Sequence, residues 1–442
     1  MCGPGASTQK TTQVVTGAIP IFLAGAVVFS SYVVIDKVCY GHFYSQGWTR
    51  TAHAITAILA ISLLFMTLSY MRLFHMIVRN PGLVPSPKHD AKPQDPEAPH
   101  DMTSPSESRP GGRIINGPGD PEVQLNEIPS LRPDRPELEV FYGLEAFVCD
   151  AYGKPRYCTN CATWKPDRAH HSGEIGRCVR KMDHYCPWVG GMVAETSFKF
   201  FVQFVFYATV FCTICLVPAA IVLNAQMRSG LGVDPMVCVV VGLGAFFGLF
   251  SSTMTFNCMR FLALNTTNID AIDYDSKCYR LAIRVPDEDA THRGAVFCPV
   301  VSFPLHRDAF RPRWAERDIG PDDETDEQRD ERWARLDRQA GEQSARTRAH
   351  IAPAARRRYY AVVTTKPGEN PWHMGSVYLN ICSVMGNRVF DWFLPMRQSP
   401  CINEQSDQGF YRFGPLLETL RSRHGLRRPD EAVEECEKTS LI

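Results

Sequence analysis

The 442 residues carry as many basic as acidic side chains, so no global field draws the chain to nucleic acid or to an acidic partner. The length leaves room for two or three domains, and a hydrophobic share of 45% is that of an ordinary globular protein. A slightly negative mean hydropathy does not exclude a membrane protein, because the apolar residues are gathered into four blocks.

In chain order, residues 1–13 form a polar N-terminus. Two charge-free runs follow within 14–78, Val14 to Ile35 and Ala54 to Met71. Two more fall within 200–259, Phe200 to Met227 and Pro235 to Met259. About 20 mostly apolar residues suffice for a helix to cross the hydrocarbon core, so these are four spanning candidates. Buried core helices of a soluble protein are the alternative, and four such runs in one chain weigh against it. The first run is too long for a signal-peptide core and has only Lys10 as a basic flank, so it reads as a retained helix. Leu73 to Val78 extends the second run beyond Arg72.

Between the second and third runs, Lys154, Arg156, Lys165, Arg168, Arg177, Arg180 and Lys181 crowd one loop. The other two loops hold only Lys37, Arg50 and Arg228. The positive-inside bias places the long loop and both termini in the cytosol, in an endomembrane or the plasma membrane. Residues 83–136 are rich in Pro, Gly and acidic side chains and read as a flexible linker. Residues 260–305 form a cytosolic segment, and 306–358 a charged insert expected to be disordered. Aromatic and apolar character returns in 359–395, and 396–442 reads as a mobile tail.

Of sixteen cysteines, only those between Cys158 and Cys186 have a metal-like rhythm. Within residues 150–199, Cys158, Cys161, His171 and Cys178 offer three thiolates and an imidazole, a set that suits tetrahedral structural zinc. Free reduced cysteines in a loop are the competing reading of a CxxC with a distant His and Cys. Asp183-His184-Tyr185-Cys186 is a second kind of cluster. A thiolate is the reactive form of Cys, a neighbouring His can take its proton, and a carboxylate can orient the imidazole.

The run from Lys165-Pro166-Asp167-Arg168-Ala169-His170-His171 through Cys178 to Met182-Asp183-His184-Tyr185-Cys186-Pro187-Trp188-Val189 resembles the cysteine-rich domain of the DHHC-type protein S-palmitoyltransferases, in a DHYC spelling associated with fungal members. Outside it, Asn80-Pro81-Gly82 resembles the family's DPG motif, Thr266-Thr267 the start of its TTxE motif, and Asn370-Pro371-Trp372 with Gly375, Asn380 and Gly386 its C-terminal motif. The resemblance covers roughly 14–82, 150–270 and 365–395. It implies an α-helical polytopic membrane protein, four transmembrane helices with a small cytosolic zinc-binding domain between helices two and three.

The resemblance further implies transfer of a long-chain acyl group from acyl-CoA (palmitoyl-CoA) to cysteines of membrane-associated proteins. The route is an acyl-enzyme at Cys186, with His184 as base and acid and Asp183 orienting it. Lys165, Arg168 and His170 are then expected to meet CoA phosphates, Trp188 to anchor at the interface beside the site, and Thr266, Thr267 and Asn380 to support the Asp183 loop. The implied partners are protein substrates and the lipid bilayer, with no nucleic acid.

The family loop holds two zincs, and here only one set of ligands remains. The second set is replaced by Ser172, Ile175, Tyr185 and Met192, of which Ile175, Tyr185 and Met192 are expected to pack as an apolar cluster, so one zinc is expected. The TTxE carboxylate position is Ile269, with Asp270 following, and Gly190-Gly191-Met192 stands where the family has Asn-Asn-Cys. Three other readings compete. An inactive zinc-bearing membrane adaptor is disfavoured by retention of Asp183, His184 and Cys186, and a RING-like module by too few ligands for two zincs. A transporter is disfavoured by spans without charge.

Overall fold

The computed structural model describes residues 6–86, 89, 138–230, 232–286, 298–305, 356–402 and 409–429. Among the described residues, four helices are long and apolar enough to cross a membrane. Helix α1 (Ala6–Val33) continues as wider π-helical turns from Val34 to Tyr44, and α2 spans Thr49–Arg79. Helices α3 (Phe198–Ser229) and α4 (Pro235–Leu264) complete the bundle. The first helix outlasts its charge-free run, passing through Asp36 and Lys37, which pair at 3.3 Å. Its start at Ala6 also lies before the expected boundary at residue 14.

Apolar residues meet between the helices, but small and hydroxylated ones fix their approach. Gly244 on α4 faces Leu216 on α3, where a Cβ would sit 3.0 Å from the leucine Cβ. Thr209 and Thr255 bridge the same two helices at 3.0 Å. Lipid tails are as apolar as leucine, so close backbone approach and hydrogen bonds carry helix association there. Asp234 caps α4 by accepting from the Met236 amide, and Pro235 fills the first helical position, where no N–H is needed.

Between α2 and α3 lie three small hairpins. Strands β2 (Tyr157–Cys158) and β3 (Thr163–Trp164) pair, as do β4 (His170–Ser172) with β5 (Arg177–Val179) and β6 (His184–Cys186) with β7 (Gly191–Val193). Strands of two or three residues bury too little to hold themselves, so other contacts must fix them.

A four-stranded antiparallel sheet flanks the hairpins. Its order is β1 (Ala146–Val148), β8 (Arg280–Val285), β10 (Arg356–Thr364) and β9 (Val300–Leu305). Its core includes Phe147, Ile283 and Tyr360, with Tyr142 stacked on Phe303 at 4.2 Å. The C-terminal region adds α5 (Val377–Met385), α6 (Val389–Phe393) and α7 (Leu416–His424).

The sheet and the hairpins correct three expectations. Arg356 to Arg358, placed in the disordered insert, are the start of central strand β10. Residues 409–429, placed in a mobile tail, dock Phe410, Tyr411, Phe413, Leu417 and Leu420 into the sheet core. Leu83 to Ser86, placed in the linker, pack on the hairpins: Leu83 bridges Val179, and the Val84 amide donates to Cys178 O at 2.9 Å. The rest of the expected linker up to 136, residue 89 apart, and residues 306–355 lie outside the described residues.

Candidate active site

Cys158 and Cys161 flank the turn that opens the β2–β3 hairpin, while His171 and Cys178 sit directly opposite each other in the β4–β5 register. Their ligand atoms all lie within 4.8 Å of one another. From His171 Nδ1 the sulfurs of Cys161, Cys158 and Cys178 are 3.2, 3.7 and 4.0 Å away. Tetrahedral zinc with bonds of about 2.0 to 2.3 Å sets its ligands about 3.5 Å apart, so these donors fit the ion. Among the described residues no other His, Cys, Asp and Glu group has this geometry.

Strand β6 carries the second cluster. Side chains alternate across a strand, so His184 and Cys186 share one face and Tyr185 takes the other. Tyr185 joins Ile175, Met182 and Leu83 around the buried Val179, Met192 and Ala194. This is the apolar cluster expected from the residues standing at the second ligand set. Ser172 turns aside to donate to Glu174 at 2.6 Å.

On the opposite face, His184 Nδ1 lies 2.6 Å from Asp183 Oδ2. The other Asp183 oxygen accepts from the Asn268 amide at 2.8 Å, so both oxygens of this buried carboxylate are engaged. Burial lowers the His184 pKa, but hydrogen bonding to Asp183 and to Cys186 outweighs it and raises the group to about 9. The protonated ring is therefore the favoured form, the state reached after taking a proton from the thiol. Its edge packs on Phe201 at 5.2 Å, and its Nε2 has no hydrogen-bond partner among protein oxygens or nitrogens. Cys186 is buried with Val189, Phe201, Cys258, Leu262 and Val384, at the apolar end of the helix bundle.

The exits of the spanning helices hold this strand in place. After α2, Asn80 O accepts from Thr196 and Gly82 O from the Arg180 amide, at 2.6 and 2.8 Å. Arg180 and Glu195, both buried, pair at 3.1 Å. Gly190 has φ +78°, and a Cβ on Gly191 would collide with Ile77 of α2, so these two glycines fit where larger residues would not.

At the end of α4, Asn265 closes the helix in the left-handed conformation, and Thr267 and Asp270 form a reciprocal cap on the next turn. That turn aims the Asn268 amide at Asp183. The last carbonyls of α4 are taken by the C-terminal motif: Asn380 donates to Ala263 O at 2.7 Å and Asn370 to Leu264 O at 2.8 Å.

The family model described as DHHC palmitoyltransferase matches residues 151–275. Palmitoyltransferase pfa5 of Aspergillus fumigatus is 30% identical across 97% of this chain and 94% of its own length. Palmitoyltransferase pfa5 of Emericella nidulans is likewise 30% identical, across 97% of this chain and 90% of its own. Over a shorter stretch, 14% of this chain and 16% of its own, palmitoyltransferase PFA3 of Yarrowia lipolytica reaches 48%. The chain belongs to the DHHC palmitoyltransferase family. It is a multi-pass membrane protein S-palmitoyltransferase.

Within this family member, several expected roles change. Arg168 is not open to a phosphate. It is buried, donates through Nε and Nη2 to Asp270 at 2.9 and 2.6 Å, reaches Asn265, and stacks over Trp372 at 4.8 Å. Asp270 thus has its partner within the fold although the TTxE position itself is Ile269. The Thr266 hydroxyl is buried without a partner, Asn380 acts on the α4 exit, and Thr267 reaches Asp183 only indirectly, by capping the turn that carries the Asn268 amide. The atom that does hold Asp183 is the Asn268 amide, invisible in sequence because any residue offers one.

Lys165 and His170 remain half-buried beside each other's fields, joined by Arg156 and Lys277, which sequence reasoning left out. Burial first, then Arg156, pushes His170 down to about 4. Trp188 packs on Phe250 and Phe247 of α4, at 5.4 and 6.5 Å.

Proposed function

We propose that Cys186 is the nucleophile that carries the acyl group, with acyl-CoA as donor. The observation that supports this reading is the shared face of β6: the thiol stands beside an imidazole whose far nitrogen is held by a buried carboxylate, at the mouth of an apolar helix bundle. His184 holds the proton taken from the thiol, and the Cys186 thiolate beside it attacks the thioester carbonyl. The carbon–sulfur bond to CoA then breaks, and His184 returns its proton to the departing CoA thiolate. The cysteine of a protein substrate, deprotonated by the same imidazole, attacks the acyl-enzyme and frees Cys186. Each step exchanges one thioester for another, so no external energy source enters.

Asp183, fixed by the Asn268 amide, keeps the ring oriented and stabilises its charged form. Lys165, His170, Arg156 and Lys277 form the charged and polar lip that suits the CoA phosphates. Cys158, Cys161, His171 and Cys178 would hold a single zinc, which supplies a structural cross-link between the first two hairpins. The domain faces the cytosol, where acyl-CoA is found, in keeping with the basic bias of the loop.

The test is incubation of the purified protein with labelled palmitoyl-CoA. The wild type should take up label that neutral hydroxylamine removes. Full label in Cys186→Ser would assign the acyl group elsewhere.

A further inference from the structure

Helix α6 and the three residues after it raise a question of solvation. Val389, Phe390, Phe393 and Met396 are exposed, Phe390 at 77% and Met396 at 68% of their surfaces. Yet the backbone beneath them is sealed. From Asp391 to Met396 every carbonyl oxygen lies within hydrogen-bond reach of a side-chain donor on a spanning helix, the two N–H of Gln203 being shared among three of them. Gln203 of α3 donates to Asp391, Trp392 and Leu394, at 3.1 to 3.2 Å. Tyr207, one turn further along α3, donates to Phe393 O at 3.0 Å. Arg72 of α2 donates to Pro395 O and Met396 O at 3.2 and 2.5 Å.

In contact with water this arrangement is superfluous, because water satisfies carbonyls at helix ends. In hydrocarbon it is required, because irregular backbone is tolerated at membrane depth only when the protein itself supplies its hydrogen bonds. The level agrees. Gln203 and Tyr207 lie within the charge-free stretch of α3 that runs from Phe200 to Met227, past Lys199. Helix α3 at 32 residues is about 48 Å long against a core of about 30 Å, so a centred span enters hydrocarbon near residue 204. Phe393 also packs edge-on against Phe206, an exposed residue of α3, at 6.2 Å. The apolar row is therefore continuous with the lipid-facing side of the bundle.

We infer that residues 389–396 form a shelf seated in the bilayer leaflet on the zinc-module side, and that phospholipid acyl chains cover Val389, Phe390, Phe393 and Met396. Arg388 and Arg397, both exposed, flank the row at headgroup level. The shelf fixes how deep the protein sits. Through Ser399, which donates to Val384 O at 2.7 Å, it is joined to α5 beside Cys186.

The experiment is site-specific photocross-linking of the full-length protein in phosphatidylcholine bilayers, with p-benzoylphenylalanine replacing Phe390, Phe206 or Tyr152 in turn. Position 206 reports the lipid face of α3, and Tyr152 is exposed on the loop over the β-sheet. Lipid adducts should form at 390 and 206 in comparable yield, several-fold above 152. A yield at 390 no higher than at 152, with 206 labelled, would overturn the shelf. Absence of adducts at both 390 and 206 would overturn it together with the lipid exposure of α3. The readout does not depend on acyl transfer, so its failure is distinct from a failure of the Cys186 assignment.

Discussion

In the hairpins β2–β3 and β4–β5, three sulfurs and an imidazole stand within 4.8 Å of one another, ready for a metal. At the second ligand set stand Ser172 and Ile175, in and after β4, with Tyr185 and Met192 of β6–β7, and a small apolar cluster that includes the last three fills the space. Both parts face the same difficulty, since strands of two or three residues cannot hold a fixed geometry alone. The first part answers it with a cross-link. The second answers it with burial, the Arg180–Glu195 pair, and hydrogen bonds from the exits of α2 and α4. The difference teaches why the thiol proposed as nucleophile can dispense with a nearby metal: its strand is anchored to the exits of the spanning helices.

Breaking the metal half should have the largest effect. Structural zinc supplies on the order of 10 kcal/mol in small zinc modules, so Cys161→Ala should unfold the first two hairpins and abolish autoacylation. Elemental analysis should find about one zinc per chain in the wild type and none in the variant. Two zincs per wild-type chain would contradict the division drawn above.

Next in size is the buried ion pair behind β6. Asp270→Ala leaves the Arg168 guanidinium uncompensated and also removes the cap on Thr267. A loss of about 3 to 5 kcal/mol is expected, read as a lower melting temperature in detergent. Because the Asn268 amide then loses its aim at Asp183, autoacylation should fall as well. Unchanged stability would show that the Arg168–Asp270 contact is incidental.

Met192→Ala tests the apolar half itself. Removing a buried Met side chain costs about 2 to 5 kcal/mol, and zinc content should stay as in the wild type. Loss of zinc in this variant would mean that the two parts fold as one unit, not as two independently fixed ones.

The smallest effect concerns pH. The folded pKa of His184 is raised from 6.5 to about 9. Its contribution to stability is therefore complete below pH 6.5 and disappears as pH rises through about 9, a change of about 3 kcal/mol. The difference in melting temperature between wild type and His184→Gln should shrink over that window. A difference that is constant from pH 6 to 9.5 would sink the assigned imidazolium–carboxylate pair.

Much of this was legible in the residues. Charge-free length marks a span because a bilayer charges heavily for every polar group, so the four helices announce themselves locally. Metal and thiol chemistry is carried by side-chain identity, so Cys158, Cys161, His171 and Cys178, and Asp183, His184 and Cys186, stand out as candidates in the sequence, and the fold brings each set together. The alternation of β6 even explains the DHYC spelling, since Tyr185 points away from the catalytic face.

What only the tertiary structure decided are matters of pairing across distance. The basic side chain of Arg168 reads as a phosphate ligand until Asp270, Asn265 and Trp372 are found around it. The orienting donor on Asp183 is a backbone amide, which has no signature in sequence. Strand β10 pairs with β8 and β9 across long separations, so its start looked like part of a charged insert. Residues 409–429 read as mobile because Phe410, Tyr411 and Phe413 are too few to suggest a core of their own. They are held only because the sheet offers them an apolar face, and such burial is a property of the partner surface that the segment's own residues cannot reveal.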